Sequence, residues 1–161
     1  MAEDLNNSFL TFKVQDATYG VQVERVVEIQ AYAQPDAAPA TLPYMLGLTQ
    51  HRGHILPLID SSAKFGMKPM DITSQTYVVV ISVKNDDELF DVALAVDEVR
   101  EVITIKDEQK MKIDSTYKPG YVAFATQTNN GLVMILDPDK VFNDSDVVSM
   151  ATITAQANKQ Q

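Results

Sequence analysis

The sequence contains no cysteine, and this absence removes several classes of protein. Without cysteine the chain cannot form disulfides, iron–sulfur clusters or thiolate zinc sites, and its composition agrees with a reducing compartment. Long apolar runs are also missing, since the stretch at residues 77–81 is among the longest and is too short to cross a bilayer. Glu3 and Asp4 stand where a secretory signal needs basic residues. We therefore expect a cytoplasmic protein without direct membrane insertion.

Positive charge is scarce: 13 lysines and arginines face 22 aspartates and glutamates, for a formal net charge of −9. Such a chain repels phosphate backbones, and no local cluster of lysine or arginine opposes that repulsion, so nucleic acid is not expected as a partner. The 161 residues are 45% apolar, which suffices for a hydrophobic core in one domain or in two small lobes that share it.

Alternating apolar residues predict strands through most of the chain. Residues 10–14 and 19–23 form one predicted hairpin, and residues 77–83 and 92–96 form another around a turn at residues 85–87. Asn130-Gly131 predicts a third turn, between strands at residues 121–127 and 132–136. Predicted helices are short, at residues 61–65 and 137–142. The sequence 143–161 is interpreted as a helix that starts at Asp144 or Ser145, or as a frayed tail.

The chain repeats one pattern of strands in its two halves. Residues 23–29 match residues 96–102, the strand that Pro43 leads matches the one after Pro119, and Ile59-Asp60 matches Leu136-Asp137. So long a period favours two similar lobes, approximately 9–70 and 71–142, over a solenoid; chance recurrence of short β motifs is the alternative. Small antiparallel sheets remove their edges by curling, which predicts two small β-barrels with a groove between them.

No arrangement of residues indicates catalysis or a bound metal or cofactor. His51 and His54 would need Asp60 to complete a metal site, and the neighbouring arginine opposes a cation there. Asp137 begins a segment that departs from the calcium-loop pattern and is better interpreted as a helix cap. The chain also lacks a Gly-x-Ser-x-Gly elbow, a GxGxxG fingerprint and a Walker loop. The prediction is a protein that is not an enzyme and holds no cofactor.

The strand pattern does not explain why Arg52 stands at the start of a predicted strand. A guanidinium beside a glycine at the mouth of a strand either pairs with a carboxylate of its own lobe, such as Glu28, or presents its donors to a partner. Both interpretations stay open. Val26, Val27, Glu28 and Ile29 raise a similar question, because neighbours on a strand point to opposite faces, and one face is available to a partner.

These residues resemble a CheW-type chemotaxis coupling protein. The resemblance covers residues 9–142 in order and includes a second stretch at residues 95–102 and a closing one at residues 136–142. The family pattern Gly-x-x-Asn-x-Arg-Gly-x-(Ile/Val)-x-Pro-(Val/Leu)-x-Asp is matched here by Gly47, Gln50, Arg52, Gly53, Ile55, Pro57, Leu58 and Asp60.

The resemblance implies an all-β fold of two small intertwined five-stranded, SH3-like β-barrels and a function without catalysis. Family members bridge the cytoplasmic tip of a methyl-accepting chemoreceptor and the regulatory domain of a CheA-type histidine kinase in membrane-bound arrays. Carried over by position, Arg52, Glu28 and Val26 are expected to contact a protein partner, and Val99 to face the receptor groove. Ring contacts with kinase domains or other CheW-like domains are a further expectation.

Expected boundaries are a flexible N-terminus at residues 1–8, a CheW-like domain at residues 9–142 with strand exchange between its lobes as an option, and the tail at residues 143–161. Departures from the family pattern leave one alternative open, a paralogous scaffold of a pilus-type or other chemosensory system. A small-ligand-binding β-barrel is the alternative from another class. The departing residues are Gln50 for asparagine, His51 and His54 for apolar residues, Ser61 for leucine and Phe124 for glycine.

Overall fold

The computed structural model of the chain describes residues 7–38, 42–85, 88–114, 120–142 and 144–159. The all-β class is confirmed, because ten strands dominate these residues. The strands are β1 (Ser8–Val14), β2 (Ala17–Gln22), β3 (Val26–Ala31), β4 (Met45–His51), β5 (His54–Asp60), β6 (Tyr77–Asn85), β7 (Glu88–Val96), β8 (Glu98–Thr104), β9 (Val122–Thr128) and β10 (Gly131–Leu136). The α-helices are α1 (Ser61–Lys64), α2 (Pro138–Val141) and α3 (Asp144–Lys159).

The three predicted hairpins are confirmed. β1 pairs with β2, β6 with β7 and β9 with β10, each time antiparallel. In the third hairpin Gly131 pairs with Thr128, so the turn is Asn129-Asn130, one residue earlier than the sequence indicated. Residues 86 and 87 of the second predicted turn lie outside the described residues, as do residues 1–6 of the predicted N-terminal segment and Pro119.

Each half of the chain contributes strands to both sheets. One sheet has the order β8-β1-β2-β10-β9, and the other has the order β3-β6-β7-β5-β4. If each strand of the first half is exchanged for its repeat in the second half, the first order becomes the second. Each sheet therefore combines the opening hairpin of one half with the remaining three strands of the other, which makes the two five-stranded sheets intertwined.

The same non-local contacts recur in both sheets. Asp36, which follows β3, makes an isolated bridge to Leu48 of β4, with N···O distances of 2.9 and 2.8 Å. Met111, which follows β8, bridges Ala125 of β9 in the same way, at 2.7 and 2.9 Å. The segment after one end strand is thus tied to the opposite end strand, which curls each sheet. The pairings do not join the end strands themselves along their length, so a closed barrel stays a prediction.

Both sheets bury apolar side chains in one shared core. Burial is complete or nearly so for Phe12 of β1 and Leu94 of β7, and Val147, Met150 and Ile153 of α3 join the same cluster. An aromatic row crosses this core, with ring centroids 4.8 Å apart for Tyr19 and Phe65 and 5.0 Å apart for Phe65 and Tyr121. Burial, with a smaller contribution from Tyr121, raises the pKa of Tyr19 to about 12.

Short helices follow two strands as the sequence predicted, and α3 begins at Asp144, one of the two predicted starts. The side chain of Asp60 accepts a hydrogen bond from the backbone N–H of Ala63, and that of Asp137 accepts one from Asp139, so both carboxylates cap the helix that follows. Within the described part of the chain, no helix has the length and apolar content that a membrane crossing requires.

Candidate protein-docking site

Arg52 and Gly53 form a tight turn between β4 and β5. His51 pairs with His54, which leaves these two residues as the whole loop. Both have positive φ, 52° for Arg52 and 82° for Gly53, the geometry of the tight turn whose twist matches that of a hairpin. Arg52 is exposed, and the described residues offer its guanidinium neither a hydrogen bond nor an ion pair. The turn therefore presents an uncompensated positive charge to solvent.

Glu28 contacts His51 rather than Arg52. The Nδ1 atom of His51 lies 2.5 Å from Oε2 of Glu28, and the histidine side chain is only 7% exposed. These residues belong to β4 and β3, the two end strands of their sheet. The contact joins opposite ends of the curled sheet. Of the two interpretations of Arg52 left open by the sequence, pairing with Glu28 is not the arrangement in the structure.

β3 presents an apolar edge beside this contact. Val26 pairs with Ile81 and packs against the core, whereas Glu28 pairs with Val80, so Val27 is the extra residue of a bulge. Side chains alternate along β3, and Val27 and Ile29 are 40% and 41% exposed. Neither was among the residues expected to contact a partner, although the strand alternation at residues 26–29 already placed both on the face opposite Val26.

We call Val27, Glu28, Ile29 and Arg52 the docking patch. Val27 and Ile29 are exposed apolar side chains on one face of β3, and Glu28 points from the other face to His51 of β4. The guanidinium of Arg52, on the turn after His51, has no partner among the described residues. Protein interfaces have this composition, with apolar contacts at the centre and charged groups that fix orientation around them.

Val99 occupies the corresponding place in the other sheet. It lies in β8, pairs with Phe12 and is half-buried against the core, as Val26 is in β3. The exposed apolar residue of β8 is Val102, at 56%. The structure therefore places Val26, Glu28 and Arg52 in one sheet and Val99 in the other.

The histidines and Asp60 do not share a site. His51 points to Glu28, His54 is exposed, and the second carboxylate oxygen of Asp60 accepts a hydrogen bond from the backbone N–H of Met70 at 3.0 Å. Across residues 7–159, outside the undescribed gaps, no three histidine, aspartate or glutamate side chains gather in a way that suits a metal ion.

A cleft of about 400 Å³ lies between β5, β7 and α3. Its walls are mostly apolar, with Pro57, Leu89 and Met150 among them, and His54 and Asp91 are among its few polar side chains. Arg52 does not line it. A deep pocket with convergent polar groups, which the small-ligand alternative requires, is therefore not what this cleft provides.

Comparisons with known proteins agree on one family. The family model of the CheW-like domain matches residues 8–146. The chain is 34% identical over 103 residues to a probable chemotaxis protein CheW of Rhizobium etli, with 64% of each protein covered. It is 27% identical over 136 residues to chemotaxis protein CheW of Rhizobium meliloti, with 83% of this chain and 85% of the relative covered. The match to the Rhizobium etli protein spans less than two thirds of that relative's length.

A solved structure has the same fold. The scaffolding protein TtCheW of Thermoanaerobacter tengcongensis superposes with a TM-score of 0.74 over 86% of this chain and 88% of that one. Sequence identity between the two is 21%, so this likeness concerns the fold alone.

Proposed function

The chain belongs to the CheW-like family, and we propose that it is a chemotaxis adaptor that couples chemoreceptors to a histidine kinase. In this proposal it binds the regulatory domain of a CheA-type kinase and the cytoplasmic tip of a methyl-accepting receptor, and it acts as a scaffold without catalysis. Its working location is the cytoplasmic face of membrane-bound receptor arrays. Ring contacts with kinase domains or other CheW-like domains belong to the same proposal.

The unpaired guanidinium of Arg52 is the observation that carries the proposal. Arginine presents five donors in a planar fork that suits carboxylates, and no contact with a described residue has to break before a partner uses them. The tight turn also fixes where the side chain leaves the backbone, so less freedom is lost on binding. Arg52 is therefore suited to bind an acidic group of the kinase domain.

The apolar part of the docking patch supplies the contact area. Val27 and Ile29 are exposed on an end strand, where a second β-rich domain can pack against them. Glu28 lies between them in the chain and is 39% exposed, so it is available to a partner while it holds His51. Val26 supports the strand from the core side.

The other sheet is the proposed receptor-facing side. Val99 and the exposed Val102 lie on β8, an end strand in the sheet that does not contain the docking patch. A receptor tip is helical, and a helix can place apolar side chains against such a surface. Separate sheets allow both partners to bind at the same time, which an adaptor requires.

Arg52→Ala tests the kinase half of the proposal, with Asn129→Ala as its matched control. Asn129 occupies the corresponding position in the turn of the other sheet and is also exposed. Titration calorimetry with a CheA-type regulatory domain should give a dissociation constant at least tenfold higher for Arg52→Ala, a loss of about 1.4 kcal/mol. The control should stay within twofold. Equal affinities for wild type and Arg52→Ala would refute the site, and a wild type that does not bind would refute the coupling function.

A paralogous scaffold of a pilus-type or other chemosensory system is the second candidate. It is favoured by His51, which stands where apolar residues are common in the family and makes a polar contact with Glu28. Affinity measured against regulatory domains from both kinds of system distinguishes the candidates.

A further inference from the structure

Two nitrogen-bearing side chains that are adjacent in sequence, an imidazole and a guanidinium, are candidates to contact one carboxylate. His51 and Arg52 are consecutive, and Glu28 is the acidic residue that approaches their hairpin from β3. In the structure His51 makes that contact. The imidazole is nearly buried and belongs to a paired strand, whereas the guanidinium lies on the turn and is exposed.

We propose that His51 is a positioning residue for the docking patch: by holding Glu28, it keeps Arg52 free for the partner. This inference deepens the proposed function and rests on it. Arg52 acts directly on the partner, and His51 acts only through Glu28.

The energetics favour this division of roles. Imidazole has two rotatable side-chain bonds and is already fixed by burial, so its contact with Glu28 costs little conformational entropy. Arginine would lose more rotamer freedom to reach the same carboxylate, and an exposed ion pair returns little energy for that loss. Without His51, however, the guanidinium of Arg52 is the permanently charged donor of this hairpin that can turn to Glu28. Pairing with Arg52 would then have to break before a partner binds.

The second sheet shows that the hairpin itself does not need a histidine. Thr128 is the residue that corresponds to His51, and its hydroxyl bonds within its own turn, at 2.8 Å to the carbonyl of Gly131 and 3.2 Å from the N–H of Asn130. Glu101 corresponds to Glu28, and its backbone N–H and carbonyl bond the hydroxyl of Thr11. The same hairpin therefore forms with threonine in this place. His51 adds a contact across the sheet that the backbone does not require.

His51→Thr is the main test, because it installs the residue that the corresponding hairpin already contains. We expect the affinity for the kinase regulatory domain to fall up to about fivefold, which is the cost of first breaking an exposed Arg52–Glu28 ion pair. In a Glu28→Ala background, the further change His51→Thr should alter affinity less than twofold, since no carboxylate remains to capture Arg52. His51→Gln, whose amide can still donate to Glu28, should restore affinity to within threefold of wild type.

Nuclear magnetic resonance of the free protein tests the same idea without a partner. The Nε–Hε signal of Arg52 should shift and exchange more slowly in His51→Thr than in wild type, and the Glu28→Ala/His51→Thr double variant should reverse both changes. An unchanged signal, wild-type affinity of His51→Thr, or an equal loss in the Glu28→Ala background would overturn the positioning role. A wild type that does not bind the kinase domain would refute the coupling function, and the Arg52 signal would still decide the role of His51.

Discussion

The two sheets follow one plan, yet only one of them carries the docking patch. In both, the aspartate that caps a short helix donates its backbone N–H to a tyrosine carbonyl at 2.8 Å, from Asp60 to Tyr44 in one sheet and from Asp137 to Tyr121 in the other. At the hairpin turns the sheets differ, with Arg52-Gly53 in one and Asn129-Asn130 in the other. Backbone contacts are thus repeated, while the side chains available to partners are not.

Three further differences separate the sheets. Gly47 in β4 corresponds to Phe124 in β9, and α3 packs against β5 of one sheet. The Arg25–Asp139 ion pair has no equivalent either, because Glu98 and Ser62 occupy the corresponding positions. Three substitutions show how far each difference matters for stability.

Gly47→Ala should have the largest effect. A Cβ at this position would lie 2.4 Å from the carbonyl oxygen of Asp36, and φ is +150°, a value that favours glycine. Urea denaturation should show a loss of about 4 kcal/mol in the free energy of unfolding, from strain and steric overlap together. Phe124→Leu, at the corresponding position, should cost less than about 1.5 kcal/mol. A loss below about 1 kcal/mol for Gly47→Ala would show that the Asp36 bridge is not rigid.

Met150→Ala tests what α3 adds to the sheet that it covers. Met150 is 1% exposed in the main core, so truncation should cost about 2–3 kcal/mol in the free energy of unfolding. Leu132→Ala is the control in the other sheet, where the side chain is 54% exposed and the expected loss is under about 0.5 kcal/mol. Similar losses for both substitutions would mean that α3 does not pack against the core.

Asp139→Asn should have the smallest effect, about 1–2 kcal/mol at pH 7. Burial raises the pKa of Asp139, but hydrogen bonds from Arg25 and from the backbone N–H of Lys84 outweigh it and lower the pKa below its usual range. Because the pKa of Asp139 is lower in the folded than in the unfolded protein, the ionised carboxylate stabilises the fold at pH values above the unfolded-state pKa. This stabilisation is lost as the pH falls through the folded-state pKa.

The stability difference between wild type and Asp139→Asn should therefore shrink below about pH 4. Chemical denaturation at several pH values measures this change. Glu98→Gln is the control, because its contact with Arg100 is an exposed one at 3.5 Å and should contribute little. A difference that persists unchanged at acidic pH would contradict the assigned role of the carboxylate.

Local patterns in the sequence predicted the elements well. Alternation of apolar residues gave the hairpins, and Asp60 and Asp137 indicated the helix starts because a carboxylate before a short helix binds its free N–H groups. The pairing of strands was harder to predict. Alternation of apolar and polar residues shows which face of a strand is buried, but it does not show which strand lies next to it. The Glu28–His51 contact depends on the curl of a whole sheet, which no local pattern encodes.

Neither half of the chain forms a complete sheet by itself, which suggests how such a fold can evolve. A polypeptide with only one set of five strands would leave its opening hairpin without the neighbours that cover it here. Two copies of such a chain could cover these hairpins by exchanging them, as domain-swapped dimers do. Once the two copies are fused in one chain, their sequences can diverge independently. One copy could then carry a charged hairpin turn, Arg52-Gly53, and the other a neutral one, Asn129-Asn130.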